Sequence, residues 1–469
     1  MRLSTSVHRV GADLGAAPTV DSVSSLLKPA SSKDFVIKAA IVVVTLALLV
    51  SGIMVTGFGR GFGLGGLLQG DRMTALWLWP GIIMGIMVAA SYIYRTALWL
   101  RYKPLDGRRL TNKELPTVTV VIPAYNEGPM VKKSILSAVS SRYPADKLQV
   151  ICVDDGSKDD TFVHMEAARK EAPGRITTVR LPENRGKRHA LYAGMSQAKS
   201  QIIVTLDSDS VLPADSLRNI VAPFVKNRRA GAVAGCVKVL NRYDNVLTRM
   251  LGVRYLLGFE FTRAYQSVLK TVFCCPGALT AYRREVIAPH LDGWLNQTFL
   301  GNRCTNGDDH AMTNVVLRAG YDTLYQSNAD VMTIVPTTYK RLSKMYTRWA
   351  RSNIRESWMY LKFATRRARQ REEWLAWVDG IVHALTIPAR MYLMAFTWYF
   401  AILHFTVLLR SLAAATLVAL LYVVYFLRSE RSTESLYGIL YSWFALLTLQ
   451  WIYPWAGLTV SKNRWMTRG

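Results

Sequence analysis

The sequence predicts an α/β domain with a mostly parallel sheet, inserted between amino-terminal and carboxyl-terminal transmembrane helices. Two observations predict it. Over the middle of the chain, short β-branched runs end in acidic motifs and give way to helical patterns. Long uncharged apolar runs lie only on either side of that stretch. A chain of 469 residues has room for one sizeable domain and several spans.

The flanks come first. Residues 39–58, 74–94, 391–409, 411–427 and 435–461 carry no charged side chain. Each is near the roughly 20 residues that cross a bilayer as a helix. Residues 1–34 are polar, rich in Ser and Ala and without an apolar centre, so a disordered tail is expected rather than a cleaved signal. Residues 35–100 then hold two spans. Lys28, Lys33 and Lys38 precede the first, and Arg95, Arg101, Lys103, Arg108 and Arg109 follow the second. Only Arg60 and Arg72 lie between them, so the positive-inside tendency places the amino terminus and the central domain in the cytoplasm of a multi-pass inner-membrane protein.

Lys and Arg number 58 against 32 Asp and Glu, a net charge of +26. These cations gather at span ends and over residues 341–371, where an anionic leaflet attracts them, so no nucleic-acid partner is expected. The five cysteines (Cys152, Cys236, Cys274, Cys275, Cys304) all lie in the middle of the chain and are expected as reduced thiols.

The middle, residues 101–335, reads as follows. Residues 117–123 form a buried strand ending at Tyr125-Asn126-Glu127-Gly128, with a helix over 131–140. Residues 149–153 form a second strand, closed by Asp154-Asp155-Gly156-Ser157. A third is expected over 177–181. A fourth, over 201–206, ends in Asp207-Ser208-Asp209. Strands alternating with helices imply a mostly parallel sheet, in which ligands bind outside the carboxyl ends of the strands. Each acidic motif sits at such an end.

That placement suits a UDP-sugar. Asp154 and Asp155 can accept from a uracil N–H, and Lys187 can approach the base or a phosphate. Asp207 and Asp209 are expected on one side of an extended segment, as two oxygen ligands for Mg²⁺ or Mn²⁺ bound to the diphosphate. A lone Asp-x-Asp is most often a turn; four acidic or basic motifs in order, each after a strand, outweigh that reading. Further on, Gly307-Asp308-Asp309-His310 opens a helix running through Leu317. A sugar hydroxyl that attacks an anomeric carbon must lose its proton, and Asp309 is the candidate general base.

Together these residues resemble the processive inverting family-2 glycosyltransferases, above all the hyaluronan synthases of streptococcal and vertebrate type. Rhizobial chitin-oligosaccharide synthases and chitin synthases stand close behind. Asp154-Asp155-Gly156-Ser157 looks like the family's uridine motif, Gly186-Lys187-Arg188-His189-Ala190 like its basic motif, and Asp207-Ser208-Asp209-Ser210 like its metal motif. Cys275 matches an acceptor-site cysteine. Gln297-Thr298-Phe299-Leu300-Gly301, followed by Gly307-Asp308-Asp309, is the most hyaluronan-synthase-like stretch. Arg348-Trp349 matches the end of the Gln-x-x-Arg-Trp motif, and Trp465-Met466-Thr467-Arg468 resembles a carboxyl-terminal Trp-Gly-Thr-Arg.

The resemblance implies a GT-A-type domain and a donor and acceptor site drawn from Tyr125, Glu127, Asp154, Asp155, Lys187, Arg188, Asp207, Cys275, Gln297, Asp308, Arg348, Trp349, Trp465, Thr467 and Arg468. UDP-GlcNAc and UDP-glucuronate are the implied donors, a nascent polysaccharide the acceptor, and a monomer the expected unit. A chitin-type polymer made from UDP-GlcNAc alone is the alternative. Two positions depart from the family: Met345 stands where it has Gln, and His310 where it has Arg.

Residues 336–375 mix basic and aromatic residues at a helical period, as in an interfacial amphipathic helix. Residues 376–461 hold the remaining membrane segments. Residues 462–469 are expected on the cytoplasmic side, either because Pro454 breaks the last run so that it enters and returns, or because residues 373–388 contribute to another crossing.

Overall fold

The computed structural model describes residues 32–56, 72–371, 373–403 and 405–461. Most of the expected tail, residues 1–31, lies outside them, and Ser32 already opens a helix.

The described residues form ten strands: β1 Val118–Ala124, β2 Leu148–Asp154, β3 Ile176–Arg180, β4 Ile202–Leu206, β5 Ser210–Val211, β6 Ala230–Val239, β7 Leu279–Arg283, β8 Thr298–Phe299, β9 Asn302–Arg303 and β10 Asp322–Thr333. The helices used below are α1 Ser32–Thr56, α2 Arg72–Arg101, α3 Met130–Val139, α4 Thr161–Glu171, α5 Lys187–Gln197, α6 Ser216–Lys226, α7 Val246–Leu257, α8 Asp308–Arg318, α9 Tyr339–Arg371, α10 Trp374–Leu403, α11 Phe405–Ser429, α12 Leu436–Thr448 and α13 Ile452–Leu458.

Eight strands form one sheet in the order β3-β2-β1-β4-β7-β6-β10-β5. Pairings β3–β2, β2–β1, β1–β4 and β6–β10 are parallel, whereas β7 runs antiparallel to both its neighbours and β5 is antiparallel to β10. Strand β1 explains why its run is apolar at every position. Val118, Val120 and Ile122 face one layer with α3, α4 and α6, while Val121 faces the other with α5 and α8. A central strand covered on both faces reads as a continuous hydrophobic run rather than an alternating one. The fit is close at Gly194 on α5, where an added Cβ would lie 2.4 Å from Val121 Cγ1. Helix α5 therefore sits tight on the sheet and carries Lys187 to its upper edge.

The reading of the first four strands matches the observed ones to within a residue or so. Strands β6, β7 and β10 were not anticipated. They are built largely from Ala, Gly, Thr and polar residues, and β10 carries an irregularity between Tyr325 and Asp330.

Among the described residues, two helices are long and apolar enough to cross a membrane, Ser32–Gly52 and Phe405–Ser429. They pack on each other and on α12, with Phe35, Val43, Leu46 and Met54 of α1 turned outward. The run expected to break at Pro454 does bend: Thr433–Thr448 and Ile452–Leu458 meet at 49°. The break comes before Ile452, however, and Pro454 lies in the first turn of α13, where its missing N–H leaves no helical bond unmade.

Charged contacts join these helices to the sheet domain. Lys38 of α1 lies 2.9 Å from Asp34 and 2.8 Å from Glu434, and Arg249 of α7 pairs with Asp34 and Glu434. Arg95 near the end of α2 reaches the fully buried Asp379 of α10 at 2.8 Å.

Candidate active site

The turn after β1 is tied to the motif after β2. Asn126, at φ +51°, accepts from the Lys158 N–H at 2.9 Å, and its own N–H donates to Ser157 Oγ at 3.0 Å. Tyr125 stands half-buried in this turn, and Glu127 accepts from Ser208 Oγ at 2.9 Å.

Asp154 and Asp155 are almost wholly buried and engaged within the protein. Asp154 accepts from the Ser157 N–H at 2.9 Å and lies 3.3 Å from Arg180. Asp155 accepts from the backbone N–H groups of Arg185 (3.0 Å) and Gly186 (2.8 Å), and burial pushes its carboxyl above the usual range. These bonds hold the loop leading into α5, with Gly186 at φ +94° just before the helix. Lys187 follows at once.

Lys187 is the centre of the site. Its ammonium donates to Asp207 and lies 3.9 Å from Asp308. Burial works against its charge, but Asp207 and Asp308 outweigh it and hold the lysine above its ordinary value. Asp207 and Asp209 do not share an extended segment as expected. The Ser210 N–H donates to the Asp207 carbonyl at 3.1 Å and closes a turn between them. Asp209 accepts from Thr333 Oγ1 of β10 at 3.3 Å.

Among the described residues no three His, Cys, Asp or Glu side chains converge as a metal cluster. Asp207 and Asp209 offer two carboxylates, the number that Mg²⁺ or Mn²⁺ takes from a protein when substrate phosphates and water complete the shell. The donor set fits such an ion.

Asp309 sits in the first turn of α8. Its oxygens accept from its neighbour's N–H (His310, 2.8 Å) and from the Gly277 N–H at 3.1 Å. Burial and the adjacent Asp308 raise its pKa, opposed by Lys187. Cys275 is fully buried in the layer beneath; the sulfur beside the carboxylate is that of Cys274, with Sγ 4.0 Å from Asp309 Oδ2.

Arg348, on α9, is half-buried and lies within the electrostatic reach of the same acids. Desolvation lowers its pKa, while Asp308, Asp309 and Asp207 counter the shift. Trp349, next to it, is 44% exposed, with its ring 6.1 Å from that of Tyr255 and 5.5 Å from that of Tyr346. Met345 lies 3.9 Å (Sδ) from the Tyr255 hydroxyl.

Arg188 and Gln297 lie behind this surface rather than on it. Arg188 donates to the Trp294 carbonyl at 2.9 Å and to Gln297 Oε1 at 3.1 Å. Gln297 precedes the β8–β9 hairpin, whose turn residues Leu300 and Gly301 both have positive φ. Lys187, Asp207, Asp308, Asp309 and Arg348 therefore converge, with Asp209, Tyr255 and Trp349 beside them. Trp465, Thr467 and Arg468 lie outside the described residues.

Sequence reasoning missed Gly277, Tyr255 and the buried pair Arg355–Glu356. The last could have been found, since Arg355 falls seven residues after Arg348, on the same face of an α-helix.

The acids and the lysine gather at the carboxyl edge of a mostly parallel sheet, where such sheets bind ligands. Residues 119–291, within the mostly parallel sheet domain, match the profile of glycosyl transferase family 2. An N-acetylglucosaminyltransferase of Rhizobium meliloti (strain 1021) is 33% identical over 274 residues, 57% of this chain and 64% of that protein. A hyaluronan synthase of Streptococcus pyogenes is 32% identical over 285 residues, 60% of this chain and 66% of that protein. The chain thus spans just under two thirds of the length of these curated relatives. Among solved structures, the mannosyltransferase PcManGT from Pyrobaculum calidifontis, in complex with GDP-Man and Mn²⁺, is 22% identical with a TM-score of 0.49, over 78% of this chain and 98% of that one.

Gly307 is the most constrained point of the site. Its φ is +70°, and an added Cβ would fall 2.0 Å from Ser352 Oγ of α9. Gly307→Ala is expected to lower stability by about 1–3 kcal/mol. Gly174→Ala, also at positive φ but with nothing within 4 Å of the added carbon, is expected to lower it less. Thermal unfolding of the two purified variants checks this.

Proposed function

We propose that this chain is a membrane-integrated, processive inverting glycosyltransferase that assembles hyaluronan from UDP-GlcNAc and UDP-glucuronate. On this reading the domain lies on the cytoplasmic side of a multi-pass inner-membrane protein, works as a monomer, and passes the growing polysaccharide into the bilayer region. The observation that carries it is the placement of Asp309 among Lys187, Asp308 and Arg348, a base beside a cationic diphosphate site.

In the proposed reaction Asp309 takes the proton of the acceptor hydroxyl as that oxygen bonds to the anomeric carbon. The bond from that carbon to the diphosphate oxygen breaks, UDP leaves, and the configuration inverts. Lys187 and Arg348 neutralise the diphosphate, a role suited to a planar guanidinium fork and a compact ammonium. Asp207 and Asp209 would hold Mg²⁺ or Mn²⁺, which when bound offsets the charge of the leaving group. Trp349 offers an exposed ring for the apolar face of the acceptor sugar. Asp155 holds the loop that presents Lys187.

A second reading, a chitin-type polymer of GlcNAc, is favoured by the likeness to the rhizobial N-acetylglucosaminyltransferase. Purified protein in nanodiscs, given each donor singly and both together, separates the two. Polymer formed only with both donors and digested by hyaluronidase is the expected result. Polymer from UDP-GlcNAc alone moves the assignment to the second reading, and turnover of neither donor rejects both.

The base also has a pH signature. Asp309 acts as carboxylate, so activity is lost as pH falls through its pKa, which burial and Asp308 raise above that of an ordinary Asp. Asp308→Asn removes the like charge, lowers that pKa and is expected to move the acid limb of kcat/KM to lower pH. Asp309→Asn is expected to lower kcat by ~10²- to 10⁴-fold with UDP binding retained. An acid limb that stays in place in the first variant, or full turnover in the second, assigns the base elsewhere.

A further inference from the structure

Behind Asp309 lies a buried network that the proposed reaction does not touch. Glu356 of α9 is fully buried. It accepts from Arg355 Nε at 2.8 Å, Gln297 Nε2 at 3.1 Å and Asn314 Nδ2 at 3.1 Å. Asn314 lies on α8, the helix that Asp308 and Asp309 open. Gln297 passes the connection to Arg188, which follows Lys187 on α5. Arg355 and Arg188 both donate to the carbonyl of Asn306, one residue before Gly307, and Arg355 also donates to Asn306 Oδ1 at 3.2 Å. Trp294 Nε1 donates to the Asp308 carbonyl at 3.0 Å.

We infer that Glu356 is a positioning residue: it locks α9, α5 and α8 to one another and so sets Asp309 relative to Lys187. This rests on the proposed transfer reaction. Each helix supplies one member of the site above the network: α5 carries Lys187, α8 carries Asp309 and α9 carries Arg348. Glu356 bonds α8 directly through Asn314, and reaches α5 through Gln297 and Arg188. The groups facing Glu356 are Arg355 on its own helix, Arg188 through Gln297, and Cys304 and His310 around the start of α8. Burial lowers the His310 pKa to about 4, so it is neutral at physiological pH. The two arginines are therefore balanced by Glu356 and Asp308. Loss of the Glu356 carboxylate would leave a net positive charge under Asp309, whereas loss of the Gln297 amide would not.

The test uses the full-length protein in nanodiscs, measuring UDP release for the wild type, Glu356→Gln and Gln297→Met. Both variants are expected to lose kcat ~10- to 100-fold, the consequence of a base displaced by a fraction of an ångström to an ångström. Donor KM and the Kd for UDP are expected to stay near wild-type values. The acid limb of the pH profile is expected to move to lower pH in Glu356→Gln and to stay put in Gln297→Met, which changes no charge. Should Glu356→Gln fail to fold, Gln297→Met carries the kinetic part. Unchanged kcat per folded molecule, or a loss confined to KM, overturns the inference while wild-type turnover leaves the transferase reading intact. A wild type that turns over no nucleotide sugar overturns both.

Discussion

The ion pair between Lys187 and Asp207 is the contact on which the site depends. Lys187 opens a helix pressed against β1, and Asp207 ends β4, the strand beside β1. The pair therefore joins a helix of one layer to the sheet edge. It also places a cation 3.9 Å from Asp308 and counters the burial that raises the pKa of Asp309. On the proposed reading, this geometry keeps a positive charge for the diphosphate and a carboxylate for the acceptor's proton.

Helix α9 connects those side chains to the long apolar helices. Its inward face carries Leu342, Met345 and Ala350 into the main core, and its later turns bury Arg355 and Glu356 beneath α8. On the other side it packs against α13 and α10. Arg348 and Trp349 are therefore held by a rigid element that touches sheet domain and apolar helices at once. The Met345 thioether sits against the Tyr255 hydroxyl, a weak acceptor in a place where the family has an amide.

The part of the fold legible in the sequence was the part with strong local signals. Strands β1 to β4 are β-branched runs, β2 and β4 of them running straight into aspartates, and α8 starts at Gly307-Asp308. The far half of the sheet was not legible. Strand β6 reads AGAVAGCVKV, whose small residues are suited to close packing, as at Gly235 and Gly231, rather than to an alternating pattern. Strand β7 enters the sheet antiparallel from a distant part of the chain, a pairing no local window contains. In the site, residue types were legible but not their partners. Asp154 and Asp155 were read as facing a ligand, and their oxygens meet Ser157, Arg185 and Gly186 of the protein itself. Asp207 and Asp209 were read as extended, and a local backbone hydrogen bond turns them. Arg188 and Gln297 were recognised as significant, yet only tertiary packing reveals that they brace the site from behind.

The central claim is that these acids and cations form a nucleoside-diphosphate site completed by a divalent ion, and calorimetric titration of UDP into the purified protein tests it most directly. The account expects saturable binding with Mg²⁺ or Mn²⁺ present. Chelation, or Asp209→Asn, is expected to weaken it on the order of tenfold or more, at least ~1.4 kcal/mol. UDP that fails to bind with either ion, or binds equally well to wild type and Asp209→Asn after chelation, would contradict it.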